Sequence, residues 1–156
     1  MASTYPVSTN PQSLSHLRVV IDRLRKQIED TSTTIGDGTV VLTSTASVDL
    51  SAGEVVYAPS AGSLAKAKAD AVTTSKIIGV ATANVLTGQL ASVQSAGIIT
   101  VSTWSLTANT IYYLDPSTAG AITATAPTIV GQVVIPVGIA VSETTMKLLL
   151  TPLVLL

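Results

Sequence analysis

The chain has no cysteine among its 156 residues, so disulfide bonds and thiolate metal sites are excluded and stability has to come from packing. Charge is also scarce: charged residues make up 11% of the chain against 47% hydrophobic, and the formal net charge is −1. Phosphate binding requires an extended stripe of basic residues, and the few Lys and Arg residues of this chain do not form one. The composition therefore predicts no nucleic-acid partner.

Aromatic residues are nearly absent as well, with no Phe, one Trp and four Tyr. The core must then consist of Val, Ile, Leu and Ala, which favours pleated sheet. Tyr57 and Tyr113 occupy equivalent positions of a repeat described below, and this indicates core or turn packing. Trp104 and Tyr112 remain as the candidates for a binding surface, and so few aromatics weaken a carbohydrate-receptor role.

Long hydrophobic runs and targeting signals are missing too. The first twelve residues carry neither a positive charge nor an apolar run, so we expect no secretory signal. The apolar stretch 133–141 is interrupted by Pro136 and Gly138 and is shorter than the ~20 residues of a spanning helix. The sequence predicts no membrane segment.

Constellations that carry chemistry are also lacking. Residues 77–142 hold a single carboxylate, Asp115, and the only histidine, His16, falls at an outward position of a predicted helix. The glycines never form a phosphate-binding loop that opens a helix. Four acidic residues lack the spacing of a calcium loop and are expected to cap turns: Asp37, Asp49, Glu54 and Asp70. We predict no enzymatic activity, no metal and no cofactor.

The N-terminal part of the chain differs from the rest. Residues 1–12 are rich in Ser, Thr and Pro, with Tyr5 and Val7 as the sizeable apolar side chains, and are predicted to be a flexible arm. Residues 13–31 are predicted to be a coiled-coil helix, in which seven of the chain's 17 charged residues lie on the exposed faces. Its seam follows spacings of 3, 4, 3 and 4: Leu14, Leu17, Ile21, Leu24 and Ile28.

A helix of this length is marginal in water by itself, so we expect it to associate. Two alternatives stay open at this point. The helix packs against its own β domain, or copies of it form a bundle, and the charges on its other faces favour the bundle. The arrangement of Ile and Leu along the seam leans toward two chains.

An internal repeat organises the remainder of the chain. Residues 48–57 resemble residues 104–113, and the likeness continues at an offset of 56 to 59 over about 48–83 and 104–142. The pairs Gly53/Asn109 and Gly62/Gly120 place residues that tolerate positive φ at the same two turns. We therefore predict two copies of one β unit that bend alike.

Turn residues divide residues 36–156 into short segments with no helical periodicity. This predicts a mainly β domain, a β-sandwich or barrel-like fold with an internal duplication. The predicted strands are 39–43, 47–50, 54–58, 63–69, 76–83, 89–94, 97–102, 110–114, 121–125, 132–141 and 145–150.

The run from Leu106 to Gly120, followed by Ala126-Pro127, Gly131 and the stretch 137–141, resembles a pattern of tailed-bacteriophage virion proteins. The resemblance spans roughly residues 36–156, and the chain looks like a capsid decoration (cement) or head-fibre protein. A short coiled coil ahead of such a domain is similar to the trimeric fibres of those virions.

The resemblance implies a non-enzymatic structural protein on the capsid surface, made in the host cytoplasm. It also implies a homotrimer whose partners are other copies of itself and the major capsid protein, and we favour the trimer because the large β domain should dominate assembly. The arm, with Tyr5 and Val7, is the candidate capsid anchor. The alternative is a tail-fibre or baseplate receptor-binding or adaptor module, in which turns near Trp104 and Tyr112 face a host glycan.

Overall fold

The computed structural model describes residues 38–150 and 154–156, together with Val19, which is helical and about half exposed. The chain divides into two compact units, Met1–Thr33 and Thr34–Leu156, and the second carries the fold described below. Apart from Val19, the predicted arm at 1–12 and the predicted coiled-coil helix at 13–31, with all five seam residues, lie outside the described residues. Both remain predictions.

The described part of the second unit is built from short strands separated by turns. Their bounds are β1 Val40–Ala46, β2 Val55–Tyr57, β3 Ser63–Lys66, β4 Ile77–Ala81, β5 Leu90–Ala96, β6 Ile98–Thr100, β7 Ile111–Leu114, β8 Ile122–Thr123, β9 Val133–Val134, β10 Pro136–Ala140, β11 Thr145–Leu148 and β12 Val154–Leu155. The prediction of a mainly β domain is confirmed.

The strands form three sheets. The first is a closed five-stranded barrel in the order β1-β3-β2-β4-β5, the second is an open five-stranded sheet in the order β6-β11-β10-β7-β8, and the third pairs β12 with β9. The barrel closes where β1 runs parallel to β3, at Thr45 opposite Ser63 and Ala46 opposite Leu64. Of the two architectures that the sequence left open, the first half of the domain has the barrel.

The second sheet follows the same strand order as the first. Read from β1 around the barrel, the order is β1-β5-β4-β2-β3, and read from β6 it is β6-β11-β10-β7-β8. The strands β2, β3 and β4 of the first half thus correspond to β7, β8 and β10, in agreement with the sequence offset. The two sheets differ in closure, since the second has β6 and β8 at its edges.

The matched residues of the two turns all have positive φ. Gly53 and Asn109 have φ of 90° and 61°, and Gly62 and Gly120 have φ of 74° and 80°. The hydrogen bonds also match: the N–H of Gly53 donates to Ala81 and that of Asn109 donates to Ala140, both at 2.8 Å. The prediction of positive φ at these positions is confirmed.

Apolar side chains pack on both sides of the barrel wall. Val56 and Ala81 belong to the cluster inside the barrel. Their neighbours Val55 and Val80 point to the opposite face and join a core shared with the second sheet. The strands β2 and β4 are therefore buried on two faces, and the halves are held together by a common core.

Main-chain hydrogen bonds join the two halves through residues 67–69. The N–H of Gly120 donates to Ala67 at 2.7 Å, and that of Val133 donates to Ala69 at 3.0 Å. Trp104 of the second half lies against Gly53 of the first, where an added Cβ would stand 2.5 Å from the indole Nε1. The two halves are therefore joined by main-chain hydrogen bonds as well as by side-chain packing.

Two strand predictions are corrected. Residues 47–50 form no strand, because Leu50 makes only an isolated bridge to Val85. Residues 132–141 form two strands, since β9 pairs with β12 while β10 pairs with β7 and β11. The strand β12 lies beyond the predicted ones.

Candidate interaction surfaces

The two aromatic residues predicted as a binding surface do not form one. Tyr112 is only 8% exposed, and its hydroxyl oxygen accepts a hydrogen bond from the Thr107 N–H at 3.0 Å. Alternation along β7 turns Tyr112 into the shared core. Trp104 is partly exposed but packs against the same core. The prediction for Tyr112 is therefore corrected: its ring packs in the core and presents no stacking face.

An open depression of about 590 Å³ lies beside the turn at 47–49 and contains two charged residues, Asp49 and Lys66. The Asp49 carboxylate accepts hydrogen bonds at 2.8 Å from both the N–H and the hydroxyl of Thr87. The Lys66 ammonium lies 2.7 Å from the Glu54 carboxylate. Lys66 is paired with a carboxylate, whereas the exposed Asp49 carboxylate is held by the neutral N–H and hydroxyl groups of Thr87. These contacts stabilise the loops and leave Asp49 as an exposed negative charge at the depression.

The same contacts explain the electrostatics of the acidic residues. The Thr87 N–H, followed by the Thr87 hydroxyl, stabilises the Asp49 carboxylate and lowers its pKa below the usual value. The hydrogen bond from Lys68, at 3.0 Å, lowers the pKa of Asp70 in the same way. Both groups are solvent-exposed, and both shifts favour the charged form that stabilises a loop.

Within residues 38–150 and 154–156, no three His, Cys, Asp or Glu side chains are grouped closely enough to hold a metal ion. In the part of the chain that the structure describes, no helix combines the length and the apolar character needed to cross a bilayer.

An apolar surface lies at the C-terminal end of the domain. We call it the C-terminal patch, and it consists of Ile129, Val130, Val154, Leu155 and Leu156. Val130 is 88% exposed and Ile129 is 65% exposed. The pairing of β12 with β9 brings the chain end beside the 129–131 turn, where the Gly131 N–H donates to Leu156 at 3.3 Å. Scattered exposed apolar residues are ordinary, but a group held together in this way is typical of an interaction surface.

The segments that form the C-terminal patch contain no charge. No Asp, Glu, Lys or Arg occurs in residues 116–142 or 148–156. A depression of about 260 Å³ borders the patch at Ile129, and its other lining residues include Asp115, Ser117, Thr123, Thr125 and Gln132. The Asp115 carboxylate accepts hydrogen bonds from the N–H groups of Ser117 and Thr118, and the other named side chains are apolar, hydroxyl or amide groups. Such a surface suits a protein partner that carries little charge.

A second apolar surface lies on β1. We call residues 40–44 the open β1 segment, because β5 pairs with them on one edge while β3 pairs with β1 only at Thr45 and Ala46. Val40, Val41 and Leu42 are 45%, 38% and 44% exposed. Residues 38–48 contain no charge and no proline, the usual protectors of an open strand edge.

Sequence reasoning did not find these two surfaces. The uncharged stretches were visible, but in a chain with 47% hydrophobic residues they do not separate core from surface. Val130 is exposed because it lies in the turn before β9. Val41 is exposed because β3 pairs with β1 only at Thr45 and Ala46.

A comparison with models of known protein families finds none that matches this chain, and a comparison with curated protein sequences finds no matching relative.

Proposed function

We propose that this chain is a structural protein of a tailed-bacteriophage virion, a homotrimer that binds and reinforces the outer surface of the capsid as a cement (decoration) or head-fibre protein. The resemblance over residues 36–156 supports this assignment. In this proposal the protein acts by binding alone, without catalysis or a cofactor. It is made in the host cytoplasm and is incorporated into the virion.

The C-terminal patch is the observation that carries the proposal. Its five exposed apolar side chains lie in segments without charged side chains, so their burial against a partner supplies ~25 cal/mol per Å² without desolvating a charged side chain of the patch itself. The occupant that we propose is the major capsid protein, through an uncharged area of its outer face. An exposed group of this kind is costly in water and is stabilised by such a contact.

Trimerisation strengthens this attachment. After one patch has bound, the other two search a small volume, so their binding is effectively intramolecular and the overall affinity increases. The arm at 1–12, with Tyr5 and Val7, is proposed as an additional anchor. The surface at each point of contact can therefore be small.

The alternative function, a tail-fibre or baseplate module that binds a host glycan, has less support. Such a site stacks sugar rings on exposed aromatic faces. Of the two aromatic residues predicted for such a site, Tyr112 is buried and only Trp104 is partly exposed.

The proposal is tested with shells of the encoding phage assembled without this protein. Purified full chain is added, and the bound fraction is measured after sedimentation. We expect saturable binding of the wild type. Val130→Asp should weaken it at least about tenfold, because it places a charge in the contact and removes apolar burial.

Leu86→Asp is the matched control, because Leu86 is also in a loop and is 69% exposed, but belongs to the barrel half. It should bind like the wild type, and the fluorescence of Trp104 checks the fold of both variants. Absence of wild-type binding, or equal binding by Val130→Asp, would contradict the proposal. A changed solution mass for Val130→Asp would instead identify the patch as a contact between subunits.

A further inference from the structure

The open β1 segment presents apolar side chains on both faces. Val41 is paired with Gln94 and Leu42 with Val93, so the two side chains project to opposite sides of the strand. Gln94 and Val93 are buried, whereas Val41 and Leu42 are 38% and 44% exposed. The strand therefore extends beyond the packed barrel while it is still paired with β5.

Among residues 38–150 and 154–156, no strand pairs with the second edge of this segment. Soluble proteins usually cover an open edge with charge, proline or another element, because an exposed apolar edge pairs with other chains. None of the residues from 38 to 48 is charged or proline. An uncharged edge of this kind fits an equally uncharged protein surface, and large parts of this domain are uncharged.

The position of β1 in the chain identifies the occupant. Only residues 32–39 separate the predicted coiled-coil helix from β1, and eight extended residues span at most about 29 Å. When the predicted helices of several copies associate, the β domains of those copies are therefore tethered to one another through short connections. The neighbouring molecule available at high effective concentration is another copy of this chain.

We propose that the open β1 segment is a contact surface between copies of this chain, with Val41 and Leu42 buried in the assembly. This inference rests on the proposed function, because it identifies a subunit contact within the proposed trimer. In a three-fold ring each subunit has two neighbours and every contact is heterologous. A strand with apolar side chains on both faces suits that arrangement, since each face meets a different neighbour.

The test uses the full chain and one substitution, Val41→Lys. Dissociation of the assembly on dilution is measured by light scattering and sedimentation. We expect the dissociation midpoint to move to at least about tenfold higher concentration, because a buried valine is replaced by a charge. Val72→Lys is the matched control, because Val72 is 37% exposed and lies in a turn outside β1. Its midpoint should equal that of the wild type.

Amide hydrogen exchange of the unmodified chain gives a second measurement that does not depend on the folding of a variant. The amides of residues 40–44 should exchange more slowly above the dissociation midpoint than below it. Unchanged exchange, an unchanged midpoint for Val41→Lys, equal weakening by Val72→Lys, or a chain that is monomeric at all concentrations would each overturn the inference.

Failure of the proposed function gives a different result. A chain that assembles through residues 40–44 but does not bind shells supports the contact and contradicts the capsid role. A chain that binds shells as a monomer supports the capsid role and overturns the contact.

Discussion

Asp49 and Glu54 each connect a side-chain carboxylate to a backbone N–H. Asp49 accepts from Thr87, 38 residues along the chain, and Glu54 accepts from Ser51 at 2.7 Å. Both residues were predicted to cap turns because their spacing fits no metal site, and for both the capping role is confirmed. The partner of Glu54 is local and could be anticipated, whereas the partner of Asp49 depends on how the barrel closes.

Replacement of Asp49 by Asn should make the stability less dependent on pH. Folding lowers the pKa of Asp49, so the folded protein favours the carboxylate more than the unfolded chain does. Its contribution is complete above the unfolded pKa of about 3.9 and is lost as the pH falls through the lower folded pKa. Asp49→Asn should therefore lower Tm at pH 7, and the difference should shrink as the pH falls below about 4.

Glu143→Gln is the control for this prediction. Glu143 is exposed, and within the described residues its side chain makes no hydrogen bond, so the same chemical change should alter Tm little at any pH. Thermal unfolding of the three proteins between pH 2 and 7 decides the matter. A constant Tm difference between wild type and Asp49→Asn would show that the charge of Asp49 is not the cause.

At the scale of strands and turns, the repeat predicts backbone more reliably than contacts. Gly79 of β4 and Gly138 of β10 are equivalent, and each lies where an added Cβ would meet the backbone of the next strand, at Gln94 and at Lys147. The matching residues therefore preserve close strand approach in both halves. The contacts that join the halves cannot be the same in both copies of the repeat, because each half contributes different residues to the interface between them.

The equivalent turns at Gly62 and Gly120 share a backbone conformation but differ in their contacts. Substitutions at the two positions therefore separate the cost of the backbone conformation from the cost of a lost contact. Both have positive φ, and an alanine there should cost about 1–2 kcal/mol of unfolding free energy. An added Cβ at Gly62 meets open space, whereas at Gly120 it stands 3.2 Å from the Glu54 side chain. Gly120→Ala should therefore be more destabilising than Gly62→Ala, because it also displaces Glu54 from Lys66.

Chemical denaturation followed by the fluorescence of Trp104 measures this difference. The chain has a single tryptophan, and it lies at the junction of the two halves. Equal losses for the two variants would mean that Glu54 moves away without cost.

Strand positions were largely predictable from turn residues, and the exceptions have local causes. Asp49 and Leu50 fit an apolar alternation, but the hydrogen bonds of Asp49 to Thr87 commit this segment to a loop. Residues 132–141 read as one apolar run, yet Ile135 lies between two strands with different partners. The pattern of apolar residues indicates that a segment is an extended strand, but it does not identify the strand with which that segment pairs.

For the whole molecule, the uneven distribution of charge predicts two parts with different roles. Seven of the 17 charged residues lie in the predicted helix, and the chain divides into compact units at Thr33 and Thr34. Full chain in solution should have three times the 15.9 kDa mass of one copy. Residues 34–156 alone should remain β-structured but should associate more weakly than the full chain, because the predicted helix adds contacts between copies.

Light scattering measures both masses, and circular dichroism verifies the β structure of the truncated chain. A monomeric full chain would remove the argument from the heptad seam. A dimer would favour the packing preference of the seam over the trimer that the resemblance implies.

Local composition was enough to predict the β class, the equivalent turns and the scarcity of reactive groups. Backbone preferences and the supply of ionisable side chains are properties of short segments, and they can be read before the chain folds. The closure of one sheet and not the other, the burial of Tyr112, and the exposure of Val130 and Val41 depend on contacts between residues far apart in the chain. Those contacts are chosen by packing in three dimensions, which the order of apolar residues along a strand does not specify.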